Sequence, residues 1–117
     1  MNKYTKLSDF EINKKVAITF HKNSDFIEQY DNKTIYVDGN VFDPCNNPSD
    51  AMPIIIENRI AIFPMETLGC KYWCAASDFK DIGEKEIVWG LESNNKNPLR
   101  AAMEVYLLIK DAENEKV

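Results

Sequence analysis

Few side chains in this chain are of types and spacings that could do chemistry: one histidine, His21, three cysteines, Cys45, Cys70 and Cys74, and an arginine, Arg100, inside "NPLRAAMEVYLLIK". A Ser-His-Asp or Cys-His relay would have to use His21. No G-x-S-x-G elbow accompanies it, and the cysteines lie far away in sequence. A histidine just past a helix reads instead as a C-terminal cap interacting with the helix dipole. Zinc sites use C-x₂-C pairs, whereas Cys70 and Cys74 are spaced C-x₃-C with Cys45 and His21 as distant singletons, so no metal is expected. The four glycines are isolated and none opens a phosphate-cradling turn, so no nucleotide or other cofactor is expected. The 19 carboxylates are spread along the chain among lysines, and no acid and base pair stands out.

What remains points to binding. Arg100 falls at N3 of a helix with Asn97 as N-cap and Pro98 at N1, where the positive end of the helix dipole opposes a cation. It calls for a carboxylate partner, and Asp43 and Asp50, in the loop "DPCNNPSD", are the candidates in character. Such a pair either docks the loop on the helix or recognises an acidic group on a partner. Alternation along "KYWCAA" sends one of Tyr72 and Trp73 to the core and the other outward. An exposed one marks a partner site, and Trp73 is the candidate; Trp89 is the remaining tryptophan.

The elements that must position these residues follow from pattern. Ser8 and Glu11 have capping-box spacing with Leu7 and Ile12 at the staple positions, so a helix begins there. Its apolar face carries Ile12, Val16 and Phe20, leaving Asn13, Lys14 and Lys15 toward water. "HKNSDFIEQYDNK" has no sustained period and reads as a connection, and "TIYVDGNVF" reads as a hairpin turning at Asp38-Gly39. The stretch after the Asn- and Pro-rich loop is ambiguous between strand and helix; a short helix with Pro53 at N1 is preferred. A strand through Ile60, Ile62 and Phe63 then pairs with "CKYWCAAS" across Gly69, with the cysteines as packing residues. Asp78 to Lys96 reads as a loop or short edge strand. The last helix has its stripe on Leu99, Ala102, Met103, Tyr106 and Ile109, with Val105, Leu107 and Leu108 around the back, so it is buried on more than one side. A polar tail begins at about residue 112.

The expected fold is α+β: one domain over residues 1–117, with an antiparallel sheet of about three to five strands packed by an N-terminal and a C-terminal helix. At 117 residues only one core fits. No apolar run approaches the roughly 20 residues of a membrane span. No secretory h-region is visible, so a cytoplasmic location is expected. A net charge of -5 repels phosphate backbones and does nothing to attract anionic membranes, so neither direct nucleic-acid binding nor a membrane partner is expected.

In order along the chain, "KLSDFEINKKVA", "FDPCNNPSDAMPIIIENRIAI", "KYWCAAS" and "NPLRAAMEVYLL" resemble the NinX-like proteins of lambdoid and related bacteriophages. The resemblance leaves about residues 22–40 and 78–95 uncovered. It implies a phage or prophage origin and expression in the bacterial host cytoplasm, and it carries over no catalytic residue. Near Ala51 and Met52 the family usually has a tryptophan; Met52 stands there in this chain, so no role of that indole transfers. The function expected is that of a non-enzymatic accessory protein binding an unidentified host or phage protein. The alternative is a small enzyme or ligand-binding domain using the 43–50 loop and Arg100.

Purified protein should therefore contain no stoichiometric zinc, and all three thiols should titrate as reduced. Elemental analysis finding about one zinc per chain would overturn the reading of the cysteines.

Overall fold

A computed structural model describes residues 2–81 and 87–115. Three helices and two three-stranded antiparallel sheets follow the order α1 (Asp9–Phe20), β1 (Ile27–Tyr30), β2 (Thr34–Val37), β3 (Asn40–Val41), α2 (Pro48–Glu57), β4 (Ala61–Thr67), β5 (Cys70–Asp81), β6 (Ile87–Asn95) and α3 (Pro98–Glu115). The fold is α+β as the patterning predicts, but with two sheets in place of one: β1-β2-β3 and β4-β5-β6.

The capping box forms: Glu11 N–H donates to Ser8 Oγ at 3.1 Å and Ser8 N–H donates to the Glu11 carboxylate at 3.1 Å. These bonds hold the Glu11 carboxyl below its ordinary range, so the contribution of this cap is present near neutrality and lost as pH falls through the lowered value. At the other end His21 is the C-cap, its backbone N–H donating to Ala17 O at 2.9 Å, with its ring edge-on to Phe20 and Phe42.

The expected connection after α1 contains a strand. β1 pairs with β2 in the register Ile27↔Val37 to Tyr30↔Thr34, and Asp31 and Asn32 turn the chain at φ 55 and 54. Asp and Asn tolerate this left-handed region because their short side chains bond locally. Strand β1 is mostly exposed and therefore carries no alternating apolar signal. At Asp38-Gly39 the predicted tight turn is present, with φ 49 and 84 and Val37 paired to Asn40.

Helix α2 starts earlier than Pro53. Asn47 is the N-cap, accepting from Ser49 N–H at 2.9 Å, Pro48 takes N1, and Pro53 lies inside the helix. Pro53 cannot bond the carbonyl of Ser49, which lies on the exposed first turn. The helix ends with Arg59 left-handed at φ 54, Ile60 N–H donating to Ile55 O at 3.0 Å and Ile60 buried beneath it.

In the second sheet β5 is central. It runs on to Asp81 and pairs with a nine-residue β6, so the segment read as a loop or a short edge strand supplies a long edge strand. The sequence hides this because the strand carries charge and Asn on its exposed side. The side chain of Trp89 lies outside the described residues.

One apolar cluster joins the layers, drawing Ile12, Val16 and Ala17 from α1, Ile35 and Val37 from β2, Ala51 and Ile54 from α2, Ala75 from β5 and Ala101, Ala102, Met103, Val105, Tyr106 and Leu107 from α3. Every residue of α3 from Ala101 to Leu107 is buried, so the helix is enclosed on more than one side, as its composition predicts. It also continues to Glu115, past the expected start of the tail. Burial and the neighbouring Glu57 and Glu113 push the Tyr106 hydroxyl up to about 12. Two cysteines are packing residues, Cys45 and Cys74; Cys70, at the start of β5 beside the turn, is exposed.

Met103 has no exposed surface. Met103→Asp should cost several kcal/mol, a large part of the roughly 5 to 15 kcal/mol of an ordinary domain. Thermal denaturation checks this, and a shift of only a degree or two would show that α3 is peripheral.

Candidate functional site

Arg100, on the first turn of α3, is buried with its guanidinium spent inside the molecule. Its Nε donates to Glu104 Oε2 at 2.7 Å, its Nη1 to Asp9 Oδ1 at 2.7 Å, and its Nη2 to the carbonyls of Tyr4 and Leu7 at 3.0 and 2.7 Å. Burial works against the charge, but the bonds to Asp9 and Glu104 outweigh it and hold the guanidinium above its ordinary value. Glu104 is fully buried; its second oxygen accepts from Ser93 Oγ at 2.6 Å, and Ser93 Oγ accepts from Asn2 Nδ2 at 3.0 Å. Among the described residues no buried side-chain nitrogen or oxygen lacks a partner. The arrangement therefore ties the N-terminal segment, α1 and β6 to α3.

The carboxylates paired with Arg100 are thus Asp9 and Glu104, and not Asp43 or Asp50. Glu104 is one helical turn along, the i,i+4 spacing that brings two side chains together. Asp50 accepts from the backbone N–H of Asp43 at 2.9 Å, which closes the loop on the start of α2. Asp43 accepts from Asn13 Nδ2 at 2.7 Å, and Asn13 Oδ1 accepts from Cys45 N–H at 3.1 Å. Asn13 is buried for this reason, against the expectation that it faces water. Asn97 joins loop and helix: its Oδ1 accepts from Leu99 and Arg100 N–H while its Nδ2 donates to Cys45 O at 2.7 Å. Burial pushes the Cys45 thiol up, so it stays protonated.

A recess of about 140 Å³ beside this loop is lined in part by Asp9, Asn13, Lys33 and Asp43. It is smaller than the roughly 300 Å³ at which small-molecule pockets begin, and neither Arg100 nor Asp50 lines it. Arg100, Asp43 and Asp50 are brought to one end of the molecule, where they join segments of the fold.

Trp73 lies elsewhere. Ala75 is fully buried against α3, whereas Trp73, two residues earlier on the same face of β5, is 36% exposed. The sheet outruns the helix that covers it, and the β4–β5 hairpin extends beyond. A groove of about 460 Å³ opens there, lined by Pro64, Met65, Glu66, Lys71, Tyr72, Trp73 and Lys96. Tyr72 is half-buried, so neither aromatic enters the core as alternation predicts. At the tip, Thr67 pairs with Cys70 and the two turn residues are Leu68 and Gly69, at φ 51 and 81. Leu68 is 99% exposed. The turn falls at Gly69 as the sequence predicts, with Leu68 in the place where Asn or Asp is usual.

The family described as Bacteriophage P22, NinX matches residues 3–110. The chain belongs to the NinX family. The match takes in the Arg100 network, the 43–50 loop and the whole β4–β5 hairpin. No curated protein and no solved structure matches. Met52, where the resemblance places an indole in NinX relatives, sits on the outer side of α2 at 41% exposed, one turn before Ile56 at 68%. No described helix is long and apolar enough to cross a membrane.

Removing the guanidinium strands a buried carboxylate. Arg100→Ala should cost about 3 to 5 kcal/mol, while Arg100→Met combined with Glu104→Leu should recover most of that loss. Chemical denaturation of the two variants decides it: equal losses would show that the charge pair is not what couples these segments.

Proposed function

We propose that the protein is a bacteriophage accessory protein that works in the host cytoplasm by binding a host or phage protein through the β4–β5 hairpin. The observation that carries this is Leu68. A leucine exposes 99% of its surface at φ 51, a backbone region where a side chain costs about 1 kcal/mol relative to the right-handed alternative. Neither its burial nor its conformation helps the fold, so the side chain is explained by what it meets outside. Met65, at 39% exposed, and Trp73 stand behind it, and large apolar side chains grouped on a projecting element are the anchors of protein interfaces.

The surface as a whole supports the same reading. The chain exposes 7878 Å², where a monomer of its mass exposes about 6,500 Å². Its radius of gyration is 15.0 Å, against about 13 Å for a compact chain of this length.

Leu68→Gly removes the left-handed side chain, worth about 1 to 2 kcal/mol, against a loosened unfolded chain that costs about 0.4 to 1 kcal/mol, so stability should be kept or rise slightly. Leu68→Asp should leave the fold intact. Both should lose a partner that the parent protein retains when tagged copies are recovered from infected cells and compared by quantitative mass spectrometry. Retention of every parent-specific partner by both variants would sink the proposal.

A further inference from the structure

We infer that the groove behind the hairpin tip receives an acidic segment of the partner, anchored by a large apolar side chain; this rests on the hairpin being the binding element. Along β4 and β5, the register puts Pro64 opposite Trp73 and Glu66 opposite Lys71 on the face that carries Ala75, beyond the part of it that α3 covers. Lys96 joins from the far side, just after Asn95, which pairs with Trp73. Two cations and one carboxylate therefore surround Trp73, on a chain whose net charge is -5. Among the described residues neither Lys71 nor Lys96 is held in an ion pair. The groove is thus a cationic spot on an anionic protein, and charge complementarity selects an acidic occupant for it.

The backbone sets how that occupant is held. β4 is an edge strand, the usual place for an extended peptide to add as a further strand. Pro64, near the middle of β4, has no N–H to give and interrupts such a ladder. Recognition therefore runs through side chains: an apolar residue against Trp73, with carboxylates reaching Lys71 and Lys96. At about 460 Å³ the groove takes one large side chain with its flanking backbone. A long nucleic acid would offer the same negative charge, but it would meet the acidic remainder of the surface on either side.

The experiment is selection of a random short-peptide library on the purified full chain, followed by fluorescence anisotropy with the enriched peptides. Enriched sequences should combine several Asp or Glu residues with one aromatic or large aliphatic residue. Lys71→Glu with Lys96→Glu should weaken their binding by about tenfold or more, salt should weaken it too, and Leu68→Asp should leave it unchanged. Failure to enrich any peptide, enrichment of basic or uncharged ones, indifference to the double charge reversal, or tighter binding of oligo(dT) than of any peptide would each overturn the inference. If peptide selection fails while Leu68→Asp still abolishes partner recovery, only the groove assignment falls. If Leu68→Asp has no effect on recovery, the hairpin reading falls as well.

Discussion

Glu104 is a carboxylate with no exposed surface in the middle of a helix, and the molecule is arranged around keeping it satisfied. A lone buried charge of this kind is unfavourable by several kcal/mol, and a single cation in imperfect geometry would not offset that. Arg100 supplies two things at once: a charge one helical turn away, and further N–H donors that reach Asp9 and the carbonyls of Tyr4 and Leu7. Ser93 and Asn2 complete the other side. Because these partners come from the N-terminal segment, α1 and β6, the pair is satisfied only when all of them have arrived. A buried polar network thus makes docking of separate elements interdependent, where apolar contacts alone would tolerate sliding.

The Asn-rich loop extends the same logic. Asn97, Asn13 and Asn46 each carry a donor and an acceptor on one short side chain, and each uses them to connect backbone that is otherwise irregular. Asp9 stands between the two parts, taking Arg100 on one oxygen and Asn46 on the other. The loop is consequently fixed without regular secondary structure of its own, and α2 and α3 start from a common framework.

Legibility in the sequence followed the range of the interaction. Ser8 with Glu11, Asp38 with Gly39, and Asn97 with Pro98 act within a few residues, and each was readable as a cap or turn. The partner of Arg100 was misread because Asp9 lies 91 positions away, and because the nearer Glu104 fell on a face that composition alone marks as apolar. β1 was missed, and β6 was left open between a loop and a short edge strand, for a related reason: a strand with one exposed side and charged residues carries little alternation, and its identity depends on the neighbour it pairs with. Asn13 was placed toward water since nothing local announces Cys45 as its partner. Of the candidate site, Trp73 could be named as an aromatic that would matter if exposed. The groove beside it required knowing where α3 stops covering the sheet, and that is a property of the assembled layers.

The hairpin stands apart from that interlocked body in one further respect. No residue from Pro64 to Trp73 belongs to the apolar cluster, and none bonds to the Arg100 network. Substitutions there are decoupled from the terms that hold the fold, so most side chains on it can be exchanged at little thermodynamic consequence. The scaffold is thus constrained while the hairpin surface is free to change, so sequence drift there need not pass through unfolded intermediates.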